Sequence, residues 1–112
     1  MRRHSKVLKN WGYEECFENN EKYCGKFMVV GNRWSSNGKF HYHKLKDETF
    51  YVLEGTLQLQ IKNGDSVMDH QIVEGASFRV MPMNRHRFRA VGKLCKFIEV
   101  STHHDDSDSY YD

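Results

Sequence analysis

The densest chemistry in this sequence lies in the segment His41-Tyr42-His43-Lys44-Leu45-Lys46-Asp47-Glu48. Two imidazoles one residue apart face the same side of an extended strand, about 7 Å from each other at roughly 3.3–3.4 Å per residue. Imidazoles so placed can converge on one metal ion, with each nitrogen at about 2.1 Å. Glu48 follows a polar stretch, and a bend there would return its carboxylate to the same interior. Asp47 would then point elsewhere, as a turn residue or a surface acid. Taken alone, these residues are open to two readings: a metal-ligand set, or a surface or core histidine pair beside an unrelated acid.

Positioning such side chains requires short, stiff elements, and strand patterns dominate the chain. Residues 26–30 form an apolar run that ends at the turn pair Gly31-Asn32, and residues 40–43 form another short run. Residues 49–53 are β-branched and aromatic, and Glu54-Gly55 reads as a tight turn after them. Residues 56–61 alternate, with Leu57, Leu59 and Ile61 on one face and Gln58 and Gln60 on the other. Asn63-Gly64 reads as a hairpin turn. Further strands are expected over 71–73, 77–81, 86–91 and 95–100. No long stretch carries a 3.6-residue period, so the pattern predicts an all-β sandwich or barrel.

Length and charge narrow the function classes. At 112 residues the chain reads as one domain, residues 1–112, with an N-terminal arm (about 1–25) and an acidic tail (about 103–112). A hydrophobic fraction of 38% makes a lean core, which suggests that self-association buries further surface. A net charge of +2 argues against nucleic acid as the partner. Cys16, Cys24 and Cys95 are odd in number and lack a C-x-x-C spacing, so they read as free or structural thiols in a reducing, cytoplasmic setting. No apolar run follows the charged N-terminus or approaches the roughly 18 residues of a spanning helix, so neither an export signal nor a membrane partner is expected. His103-His104, just before the acid-rich end, reads as part of a solvated tail.

The stretch from His41 to Gly55 resembles the first signature of the cupin family, with four residues between His43 and Glu48 and six between Glu48 and Gly55. Gly75, Pro82 and His86, in that order, resemble the second signature. The resemblance implies a jelly-roll β-barrel with His41, His43, Glu48 and His86 as ligands of one divalent transition metal, and a homodimer paired through a strand edge, as is common among small cupins. Ser35 stands where the family has a glycine, with Gly38 nearby. Met83-Asn84 replaces the glycine of the turn before His86, and there Asn84 is the residue that tolerates left-handed geometry. Three imidazoles and one carboxylate leave coordination positions for water or substrate, the arrangement of a catalytic site. Those ligands suit Zn, Mn, Fe, Co and Ni alike.

The outer segments are similar to the phosphomannose isomerase branch, in particular the isomerase domain of bacterial mannose-6-phosphate isomerase/mannose-1-phosphate guanylyltransferase. They are Trp11-Gly12-Tyr13-Glu14, the stretch Lys22-Tyr23-Cys24-Gly25-Lys26, and Phe97-Ile98-Glu99-Val100-Ser101 followed by Asp105-Asp106-Ser107-Asp108. This likeness implies a metal-dependent isomerase or epimerase acting on a small-molecule substrate, a sugar or sugar phosphate. Arg33, Lys39, Arg79 and Arg87 are candidate anchors for a phosphate or carboxylate. If His86 points inward, alternation sends Arg85, Arg87 and Arg89 outward and Phe88 inward. Where the branch has arginines after the acidic close, this chain has Tyr110-Tyr111-Asp112, which leaves phosphorylation of the substrate open. The same ligand set also supports an iron-dependent dioxygenase or lyase, or a non-catalytic ligand-binding cupin.

Overall fold

A computed structural model describes residues 1–112. The strands are β1 (Val7–Lys9), β2 (Gly12–Asn19), β3 (Cys24–Val30), β4 (His41–Tyr42), β5 (Glu48–Asn63), β6 (Ser66–Ile72), β7 (Ser77–Val80), β8 (Arg85–Ser101) and β9 (Tyr110–Tyr111). The only helical pieces are 3-10 turns over Ser35–Gly38 and Asp106–Asp108. One antiparallel sheet runs β1-β2-β3-β8-β4-β9, while β5 pairs with β6, β7 and β8 and curls the sheet into a barrel. The all-β expectation holds.

Two long bent strands make that curl possible. The alternation pattern predicts separate strands over 49–53 and 56–61 and over 86–91 and 95–100, divided in the first case by a turn at Glu54-Gly55. Instead β5 and β8 run unbroken for 16 and 17 residues. Their mutual register slips between Val52 and Glu54 and again between Glu54 and Thr56. Gly55 has φ +81° and Gly92 φ +84°, so each glycine kinks its strand where the reading expected β5 to reverse or β8 to break. A bulge of this kind lets one strand serve both layers of a barrel. A Cβ at Gly55 would lie 2.5 Å from the Leu94 carbonyl oxygen, and the positive φ adds backbone strain. Gly55→Ala is therefore expected to cost about 2–4 kcal/mol in urea unfolding.

The inner face carries the core that supports the site. Leu57, Leu59 and Ile61 are buried with Phe50, Val52, Phe88 and Phe97, as the alternation requires. On the outer face Gln58 and Gln60 accept hydrogen bonds from Arg89 and Arg87 at 2.8 and 2.9 Å. Both guanidinium groups also stack on Trp34, 4.2 and 4.3 Å from its ring. Arg87 is thus an outer-face residue and does not serve the barrel interior. The β5–β6 hairpin forms where expected, with Asn63 opposite Ser66 and Gly64 at φ +59°.

The chain ends are more ordered than the sequence reading proposes. Strands β1 and β2 of the N-terminal arm pair in series onto β3. The C-terminal segment is not a solvated tail: Tyr110 and Tyr111 pair with Tyr42 and His41, and the Asp112 N–H donates to the Phe40 carbonyl at 2.8 Å. The cause is Asp108, whose carboxylate accepts the backbone N–H groups of Lys44, Leu45 and Lys46 at 2.9, 3.2 and 3.1 Å. Those three amides form the bend before Glu48 and have no strand partner. All three cysteines are free, as expected. Burial pushes the thiols of Cys24 and Cys95 up to about 11.

Candidate metal centre and its cavity

Strand pairing assembles the four side chains that the sequence singles out. His41 on β4 lies directly across from His86 on β8, and their ring centroids are 4.1 Å apart. His43 follows β4, with its ring 5.5 Å from His41 and 6.2 Å from His86. Glu48 opens β5 opposite Val80 and Ser101. The bend that returns it to the interior is the one Asp108 caps, and Asp47 points outward as expected.

Hydrogen bonding assigns the tautomers of two rings. His43 donates from Nδ1 to the Asp108 backbone carbonyl at 2.8 Å, and His86 from Nδ1 to the Asn84 carbonyl at 2.8 Å. A carbonyl only accepts, so in each neutral ring Nε2 carries the lone pair. These lone pairs face Glu48 Oε2, at 3.4 Å from His43 and 3.8 Å from His86. Two ligands bonded at about 2.1 Å to one tetrahedral ion stand about 3.4 Å apart, so the spacing suits a shared cation. Glu48 Oε2 and His86 Nε2 are buried and have no hydrogen-bond partner. Leaving a buried polar group unmade costs about 1–3 kcal/mol, and a cation between these acceptors would satisfy both. His41 Nδ1 lies 3.4 Å from the Ser36 hydroxyl. The donors are not drawn into a closed cage, because no group of three or more stands in coordinating geometry. Closing on an ion takes side-chain movement.

The electrostatics keep the three imidazoles in ligating form, while the Glu48 carboxyl would have to give up its proton to a cation. Burial holds the His41 imidazole well below its ordinary range, lowers His43, and brings His86 down to about 4. All three are therefore neutral at pH 7, as metal ligation requires. Burial, then the charge of Glu99, pushes the Glu48 carboxyl well above its usual range. Glu99 itself is held down to about 2: burial opposes ionisation, but the charges of Lys46 and Lys26 prevail. The Lys46 ammonium is 2.7 Å from Glu99 and 3.1 Å from His104 Nδ1.

Above these groups opens a cavity of about 480 Å³ lined by 20 residues, only 4 of them hydrophobic. His41, His43 and Glu48 reach it, and so do Lys26, Lys39, Lys46 and Glu99. Of the anchors proposed from sequence, only Lys39 lies there. Arg33 lines a separate, smaller cleft, and Arg79 is an exposed residue tied to Asp47 by two hydrogen bonds of 3.0 and 2.6 Å. In the turn before His86, Met83 takes the left-handed conformation at φ +72°, not Asn84. The Met83 N–H donates to the His43 carbonyl at 2.7 Å, which joins the segment of His43 to the turn before His86. Ser35 is buried, and its hydroxyl accepts the Phe88 N–H at 3.0 Å.

Sequence reasoning missed Lys26, Lys46, Glu99 and Asp108. A signal existed for two of them. Lys26 alternates with Met28 and Val30, and Glu99 with Phe97, so each is a charge on an apolar face. Asp108 carried no signal, since its partners lie more than 60 residues upstream.

The histidines and the glutamate thus sit at the floor of an open, polar cavity within a curled antiparallel sheet. The cupin domain family matches residues 32–101, and the chain belongs to it. Among solved structures it is similar to oxalate decarboxylase from Bacillus subtilis, with 15% identity, TM-score 0.82, and coverage of 96% of this chain and 30% of the other. It is also similar to the capsular polysaccharide assembling protein CapF from Staphylococcus aureus, with 14% identity, TM-score 0.83, and coverage of 99% and 34%. Oxalate decarboxylase from Lactobacillus farciminis aligns with 14% identity, TM-score 0.79, and coverage of 96% and 33%. The chain thus spans about a third of the length of these proteins, and the likeness is one of fold. No curated protein matches the sequence. No helix is long and apolar enough to cross a membrane.

Proposed function

We propose that this cupin holds one divalent transition metal on His41, His43, Glu48 and His86 and isomerises or epimerises a small sugar or sugar phosphate. The observation that carries the metal site is the pair of orphaned buried acceptors, Glu48 Oε2 and His86 Nε2, facing each other with the histidine tautomers already set. The cavity supports the substrate class. Its volume suits a small molecule, and its mainly polar lining suits one rich in hydroxyls.

When bound, the metal would supply Lewis acidity to adjacent carbonyl and hydroxyl oxygens of the substrate. The protein's own part is to place charge. Lys46, locked by Glu99 and His104, presents a fixed ammonium to the same cavity. A preorganised cation of this kind stabilises an oxygen that gains negative charge as a proton moves between neighbouring carbons. Phe50 and Phe88 pack beside the His86 and His41 rings, with centroids 6.3 and 6.5 Å away, and help hold them in place.

The test is metal analysis of untagged protein, followed by a panel of aldoses, ketoses and their phosphates with Mn, Zn, Co or Ni. Isomerisation that depends on added metal and not on oxygen is the expected result. Metal binding with no turnover of any member would overturn the isomerase assignment. Oxygen consumption with an iron-loaded protein and a small acid would instead establish the dioxygenase or lyase chemistry that the same ligands support.

A further inference from the structure

Lys26 is the least explained charge in the molecule. It sits mid-strand on β3, 7% exposed, on the face that carries Met28 and Val30 into the barrel. Across the sheet it pairs in register with Glu99 on β8, yet the Glu99 carboxylate is taken by Lys46 at 2.7 Å. The nearest carboxylate oxygen to Lys26 Nζ belongs to Glu14, at 3.9 Å, beyond hydrogen-bond reach. The ammonium opens into the cavity with no hydrogen-bonded partner in the protein, so it is free to take one from a bound ligand.

Its position says what that partner is. Lys26 lines the same cavity as His41, His43 and Glu48, and its charge acts on Glu48, Glu99, His41 and His104. Four lysines and four carboxylates line the cavity, so a bound divalent cation would leave the whole lining net positive. A neutral polyol gains nothing from that excess, whereas an oxyanion does.

We propose that Lys26 is the anchor for an oxyanion, the carboxylate or phosphate of a small hydroxylated ligand whose other oxygens reach the metal centre. This deepens the functional reading above in that it takes the ligand to occupy the same cavity. It moves the anchoring role from Arg33 and Arg79, which face elsewhere, to a residue on the barrel's inner face.

Calorimetric titration of the full chain, metal-free and loaded with Ni, against malonate, inorganic phosphate and the neutral polyol erythritol tests this. The loaded wild type is expected to bind malonate or phosphate at least tenfold more tightly than erythritol, and the preferred anion identifies which oxyanion the site takes. Lys26→Met is expected to weaken the anion at least tenfold while loading Ni as the wild type does. Lys26→Gln serves the same comparison should the methionine variant fail to fold. Erythritol bound as tightly as the anions, no anion bound at all, or anion affinity in the variant within twofold of wild type would each overturn the proposal. A wild type that takes up no metal would instead defeat the functional reading, and the anion comparison is then decided on the metal-free protein.

Discussion

His86→Ala is expected to lower divalent-metal affinity by at least about 100-fold, since even loss of a group that only supports a ligand costs about 10–100-fold. The imidazole is wholly buried and its Nε2 has no partner in the protein. Its Nδ1 is committed to the Asn84 carbonyl, so the ring cannot turn to satisfy the free nitrogen elsewhere. Thermal unfolding with and without Ni or Zn reads the effect. A ligand that binds only the folded state at 100 times its Kd adds about 2.7 kcal/mol, and the wild type should show the corresponding rise in Tm, roughly 10 °C for a domain of this size. His86→Ala should lose it, while His103→Ala, which alters an exposed ring bonded to the Asn20 carbonyl, should keep it. A metal-induced rise of equal size in His86→Ala and wild type would show that the metal sits elsewhere.

Asp108→Ala is expected to be the most damaging change at the site outside the four proposed ligands themselves. Its carboxylate accepts three backbone amides from Lys44, Leu45 and Lys46, and bonds to a charged acceptor contribute about 1.5–3 kcal/mol each. These bonds share one acceptor and water replaces some of them, so a loss of about 2–4 kcal/mol in urea unfolding is expected. Metal affinity should fall about tenfold or more, because the freed bend carries Glu48 and the Asp108 backbone orients His43. Burial would raise the Asp108 carboxyl, but the three amides win and hold it below its ordinary value. A carboxylate lowered in the folded state stabilises the fold above its unfolded pKa and loses that contribution as pH falls through the folded one. Wild-type stability should therefore drop as pH goes below about 4, and Asp108→Asn should show a flatter acid limb. An Asp108→Ala variant as stable as wild type, with unchanged metal affinity, would remove Asp108 from the account of the site.

The legibility of this protein follows the range of its interactions. Alternation is a local property, and so Leu57, Leu59 and Ile61 on the inner face, with Gln58 and Gln60 outside, could be read from six consecutive residues. The strand content came from the same period of two, and so did the inward direction of Phe88 once His86 is taken to point inward. The cupin signatures added the ligand set, because a motif spanning two distant segments carries information that neither segment holds alone. What local pattern could not supply was whether a glycine turns the chain or bends it. Gly55 is such a case: only its approach to Leu94 on the neighbouring strand makes it a bulge.

The sequence by itself determined the strand alternation and singled out His41, His43, Glu48 and His86 as the proposed donors. The tertiary structure decided what surrounds them. Asp108 looks like one acid in an acidic close until its carboxylate meets the bend before Glu48. Lys26 is a charge on an apolar face whose isolation shows only once β3 pairs with β8 and Lys46 claims the carboxylate beside it. Arg79 looks like an anchor until it is found on Asp47, outside the barrel. In each case the partner lies tens of residues away, and the free energy of a charged group is set by what it faces once the chain has closed.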